Sequence, residues 1–213
     1  TDQNIGKVLQ DDLTNYTTEV KKFYGDVKEQ VSKSPRINNF QFDYEELGID
    51  NVLGKLENNI VDKALKDNFI LESKQIQRMS DSRTLADLIE LRQMINNFRF
   101  NKRITKQKDY KALNDQLAQI DDAINQGARV VMEEPKQWLE SFTQAKTQYA
   151  QMKTLERNVI SKVLNRKGIN EKVVTQALAT YITSIDGTFN EVMSKLPAKT
   201  RTLTEGAVID TLA

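Results

Sequence analysis

The sequence contains no cysteine and no histidine. Without thiols there is no disulfide and no thiolate metal site. Without imidazole, the commonest metal ligand, the Ser-His and Cys-His nucleophile pairs and the usual pH switch are all excluded. Glycine (8) and proline (3) are scarce among 213 residues, which disfavours a turn-rich β fold. An excess of one charge is also missing. Lys+Arg is 31 and Asp+Glu is 30, for a formal net charge of +1. The chain as a whole is therefore not a polyelectrolyte binder, and any nucleic-acid contact has to be local. Apolar runs are short, such as Asn68-Phe-Ile-Leu71 and Ala128-Arg-Val-Val-Met132. A membrane-spanning helix needs about 20 such residues. The first residues do not read as a cationic-then-apolar leader. The chain opens on Thr1, and Leu203, Ala207, Val208, Ile209 and Leu212 are still in helical phase where it stops. The expectation is a segment of a longer protein.

What the chain does have is 29% charged and 38% hydrophobic residues, with the apolar ones at helical spacing. Ile5, Val8, Tyr16, Val20, Phe23, Val27 and Val31 recur at steps of three and four, with Leu9 and Leu13 bridging one gap. They predict one helix of about 27 residues, roughly 40 Å long, ended by Ser32-Lys-Ser-Pro35. Residues 35 to 48 read as irregular, a loop that lays Phe40, Phe42 and Tyr44 on the helices. Asp50, preceded by Ile49, predicts the N-cap of a second helix. Val52, Leu53, Leu56, Ile60 and Leu65 form its apolar face, weakened at Gly54. That helix either breaks near Asn68 or continues through Phe69 and Ile70. Thr84-Leu-Ala-Asp87 predicts a capping box, followed by Leu85, Leu88, Arg92, Ile95 and Phe98 on one face, with Ile89 and Leu91 beside it.

The fourth helix is the clearest, with Tyr110, Leu113, Leu117, Ile120, Ile124, Ala128 and Val131 in phase. Pro135 suits the first turn of a fifth, which carries Trp138, Phe142, Ala145, Tyr149, Met152, Leu155, Val159 and Val163. Gly127 and Pro135 are the breakers between these two helices, which predicts an antiparallel hairpin in preference to a kinked rod. Asn170 to Ile182 reads as a sixth helix, Phe189 to Leu196 as a short one ended by Pro197, and a last one starts near Thr200 or Thr202. The fold class expected is all-α, an elongated multi-helix bundle of six to eight helices whose heptad-like spacing suits packing at about 20°. A division into residues 1–80 and 81–213 follows the pattern of breaks.

Few motifs carry chemistry. No Gly-rich phosphate cradle is present. The carboxylate pairs Asp11-Asp12, Glu45-Glu46, Asp121-Asp122 and Glu133-Glu134 are adjacent in sequence, so their members do not face each other on a helix. No metal and no cofactor is expected. Glu72-Ser73 and Glu140-Ser141 carry the Glu-Ser pair of lytic transglycosylases without the flanking Gly-Leu and aromatic motifs, so they read as chance pairs. One stretch stands out. Arg99, Lys102, Arg103, Lys106, Lys108 and Lys111 face a single acid, Asp109, with Phe98, Phe100 and Tyr110 interleaved. Cations for phosphates and rings for stacking make it the candidate contact with DNA or an anionic surface. A solvated junction between helices has the same composition.

From Thr84 onward the order of elements resembles a known family. Thr84-Leu-Ala-Asp-Leu-Ile-Glu-Leu-Arg-Gln-Met-Ile-Asn96 is similar to a capped helix with a Leu-x-x-Leu-Arg core. Tyr110-Lys-Ala-Leu-Asn-Asp-Gln-Leu-Ala-Gln-Ile-Asp-Asp-Ala-Ile124 is similar to the second helix that follows it across a polar spacer. Ala145, Tyr149, Lys153, Leu155 and Glu156 match a further helix of pattern A-x-x-x-Y-x-x-x-K-x-L-E, and Leu196-Pro197 a closing Leu-Pro. These elements, over about residues 84 to 200, resemble segments of the large internal virion, or ejection, proteins of tailed phages. The resemblance implies a helical, non-catalytic segment, because that family has no catalytic residues in segments of this kind. It implies docking to other virion proteins or self-association, no small-molecule substrate, and a place in the phage particle with delivery into the host. The alternative from a different class is a bacterial helical binding or regulatory module in the cytoplasm, such as a sensor bundle or a chaperone.

Overall fold

A computed structural model of the chain describes residues 5–99 and 106–155, and further on 193–194, 197–198, 200–202 and 205–206. Among the described residues the secondary structure is helical throughout, with no strand. The helices are α1 (Ile5–Ser32), α2 (Ile49–Asn58), α3 (Lys63–Gln77), α4 (Leu85–Arg99), α5 (Gln107–Val131) and α6 (Pro135–Leu155), with a 3-10 turn at Ile37–Asn39. The all-α, multi-helix class is thus what the chain forms. The expectations for Val159, Val163, Asn170 to Ile182, Gly187 and Phe189 fall outside the described residues. After Pro197, Arg201 N–H donates to the Pro197 carbonyl at 2.9 Å, a helical turn near the start expected at Thr200.

Two units divide the chain. One comprises Thr1–Tyr24 with Ala145–Ala213, the other Gly25–Gln144. In the first, Leu13, Val20 and Tyr24 of α1 and Ala145, Tyr149 and Met152 of α6 are buried, as is Met193. The Tyr24 and Tyr149 rings meet with centroids 5.3 Å apart. Thr200 donates its hydroxyl to Asp12. Tyr24 is buried, whereas Phe23, placed on the apolar face by spacing, is half-buried. Steps of four and three from Val20 through Tyr24 and Val27 to Val31 give the stripe that the helix uses.

In the second unit α4 lies on α5, α2 touches α3 and α5, and α3 touches α4. Two contacts fix the direction of α4 and α5. Leu85 approaches Gly127 and Arg92 pairs with Asp121, so position numbers rise along one helix as they fall along the other. The pair is antiparallel. Leu85, Leu88, Ile89, Leu91, Ile95 and Phe98 are all buried. Helix α4 is therefore covered on most of its circumference, not along a single stripe. Phe69 of α3 and Phe98 of α4 meet with centroids 5.0 Å apart, which joins elements from either side of residue 80. Trp138 and Phe142 of α6 stack at 5.0 Å, and the indole N–H donates to the Val27 carbonyl at 3.1 Å.

Several local expectations hold for the reasons given by sequence. The Thr84 hydroxyl oxygen accepts from Asp87 N–H at 3.2 Å, and Asp87 accepts from Thr84 N–H at 3.0 Å, a reciprocal box. Phe42 and Tyr44 are buried by the loop that carries them. Others are corrected. Asp50 is not an N-cap: Gly48, at φ 64, precedes the first turn of α2, and Asp50 sits within that turn, accepting from the Tyr44 hydroxyl at 2.8 Å. The helix neither continues through Phe69 nor breaks near Asn68. It stops at Asn58, and α3 starts after Asp62, whose carboxylate accepts from Leu65 N–H at 2.8 Å. Leu65 thereby leaves the apolar face and is 41% exposed. Gly127 does not break α5, which runs on to Val131. The break comes at Met132, in extended backbone, and Pro135 opens α6.

Candidate polyanion-binding surface

Helix α5 is built with two unlike faces, and the candidate surface is the outer one. Asp109, Leu113, Gln116, Leu117, Ile120 and Ile124 lie inward and are buried. Their steps of three and four put them on one side of the helix. Gln116 donates to the Leu47 carbonyl at 2.8 Å, which satisfies one of its buried amide groups and ties the loop before α2 to α5. Asp109 is 8% exposed, and Asn59 donates its side-chain amide to the carboxylate at 2.9 Å. Asn59 is the C-cap residue just after α2, so the end of one helix pins the start of the other.

This burial changes the candidate site. Of the six cations read from sequence, Lys106, which precedes α5, and Lys108 and Lys111 on its first turns are exposed. Arg99 is the last residue of α4, and Lys102 and Arg103 fall outside the described residues. Asp109, the single acid of the stretch, is buried and held by Asn59. Among the described residues, Lys106 and Lys108 have no acidic partner, while Lys111 pairs with Asp115 at 2.6 Å, one turn on. An open hollow of about 600 Å³ runs along this side, lined by Gln107, Lys108, Tyr110, Lys111, Asn114 and Asp115. Ammonium groups and two side-chain amides supply donors for anionic oxygens. The inward turn of Asp109 could have been read from its spacing to Leu113 and Gln116.

Two further places bear on chemistry. A groove of about 680 Å³ is lined by Arg129, Pro135, Lys136, Leu139, Glu140, Thr143 and Gln144. Glu140 is its single carboxylate, and Ser141 is not part of the lining. Ser73 of α3 is buried, with no hydrogen-bond partner for its hydroxyl among the described residues. No group of three or more carboxylates is placed to hold a metal ion among the described residues. No described helix is long and apolar enough to cross a membrane. Comparison with protein-family models, with curated proteins and with solved structures finds no match to this chain.

Proposed function

We propose that the chain is a non-enzymatic assembly segment of a phage virion protein, internal to the particle and ejected with the genome, that docks to other virion components through helix faces. The observation that carries this reading is the physical form of the resembling element. Thr84 and Asp87 cap α4, Leu88 and Leu91 are buried, and Arg92 reaches Asp121 on α5. The capped Leu-x-x-Leu-Arg helix and its successor thus pack antiparallel on each other, with α2 and α3 against them. Such a packed group suits a building unit in a long helical chain, since most helix stability in proteins comes from tertiary packing.

Apolar side chains left outside that packing support the docking part. Val61 is 96% exposed at the entry to α3, and Leu65, Leu71 and Val130 are also exposed. Exposed apolar positions on helices are the usual anchors for helix-mediated assembly. The test is lysine cross-linking of intact particles of the encoding phage, followed by peptide mass spectrometry. The reading expects cross-links from Lys63 or Lys66, beside Val61 and Leu65, to other virion proteins or to a second copy. Cross-links confined to single chains would contradict docking.

A further inference from the structure

We propose that Lys106, Lys108 and Lys111 form a sequence-independent contact with the phosphate backbone of double-stranded DNA. The choice of a packaged genome as partner rests on the assembly reading, while the binding itself can be measured apart from it.

Four observations point the same way. The acid of the stretch is withdrawn, because Asp109 is buried and held by Asn59. Lys106 and Lys108 are exposed with no acidic partner among the described residues. Lys111 is engaged only by Asp115, with both side chains well exposed at 75% and 64%. A pair this exposed contributes little and exchanges readily for a phosphate. Lys108 and Lys111 also line the open hollow with the amides of Gln107 and Asn114.

The chemistry selects the partner. Lysine is a strongly hydrated point charge that meets phosphate without the fixed fork that reads a base edge. Lys106 to Lys111 spans about 7.5 Å of helix at 1.5 Å per residue. Duplex DNA presents one negative charge per about 1.7 Å of axis, so several phosphates lie within that span. Tyr110 is half-buried and not an open platform for unstacked bases, which favours the duplex over a single strand. With a net charge of only +1, the rest of the chain adds little general attraction.

The test is fluorescence anisotropy of the full chain with a labelled random-sequence duplex across a salt series. Three phosphate contacts predict a log–log salt slope of about −2.7. K106Q/K108Q should flatten the slope by about two units and weaken binding about tenfold or more at low salt. K63Q/K74Q removes two exposed lysines of α3 and should leave both quantities unchanged. A second duplex of different sequence should bind equally. Far-UV circular dichroism shows whether each variant remains folded. No salt-dependent binding, an unchanged slope in K106Q/K108Q, or equal losses in the two variants would each overturn the proposal. Failure here removes the DNA contact alone, and particle cross-links test the assembly reading separately.

Discussion

Arg92 of α4 holds Asp121 of α5 by two parallel hydrogen bonds, from Nε at 2.6 Å and from Nη2 at 3.1 Å. The side chains are 12% and 25% exposed, so the pair is screened far less than a surface one. The guanidinium fork matches both carboxylate oxygens at once, and that geometry is specific to arginine. Arg92→Ala or Asp121→Asn should each cost about 2 kcal/mol, since a charged group left without its partner keeps its desolvation penalty. Arg92→Lys should recover only part of this. Urea unfolding measures all three. Asp115→Asn, which removes the exposed Lys111 pair, should cost a few tenths of a kcal/mol by the same assay.

Two glycines in helices should respond to alanine with opposite signs. A Cβ on Gly127 would meet Leu85 Cδ1 at 2.9 Å and the Phe40 ring at 3.0 Å. Leu85 is fully buried, so it has little room to yield. The gain in helix propensity is about 1 kcal/mol, and overpacking of a core contact costs about 1–3 kcal/mol. Gly127→Ala should therefore lower the Tm. Gly54 has nothing within 4 Å of the same position, and Gly54→Ala should raise it.

Burial, aided by its hydrogen bond to Asp50, holds the Tyr44 hydroxyl above the usual phenol range. In the unfolded chain a tyrosine loses its proton near pH 10. Above that pH the folded state retains a proton that the unfolded state has lost, so stability falls as pH rises. The contribution of Tyr44 is whole below pH about 10 and disappears as pH climbs through the raised value. Tyr44→Phe should cost about 1 kcal/mol at neutral pH through the lost hydrogen bond. It should also flatten this part of the alkaline limb, as measured by denaturant unfolding from pH 8 to 11.

The capping box predicts a local effect of known size. Thr84→Ala should cost about 1 kcal/mol. Hydrogen exchange should localise the loss to the first turn of α4.

The long helices were legible because each carries its own period. The α5 positions 113, 117, 120, 124, 128 and 131 were read from sequence and are buried. The cap of α4 was legible because Thr84 and Asp87 need only each other. Where structure and sequence expectation differ, the deciding partner is distant in sequence or the backbone chooses between near-equal options. Gly48 took the position before α2 because it can adopt φ 64. That freed Asp50 for Tyr44. Asp62 offered a cap that split the second helix and turned Leu65 outward. Gly127 read as a breaker because the close approach of Leu85 and Phe40 lies in the tertiary fold. The candidate surface was legible as a cluster of cations. The inward turn of Asp109 is legible in its spacing to Leu113 and Gln116, while its hydrogen bond from Asn59, 50 positions away, emerges only when the helices are packed.

Peptide mass spectrometry of purified phage particles, before and after genome release, tests the proposed ejection role. Peptides such as Thr84-Leu-Ala-Asp-Leu-Ile-Glu-Leu-Arg92 should be present in full particles and lost from emptied ones. Peptides retained in emptied particles would overturn the ejection role. Their absence from full particles would contradict the virion reading outright.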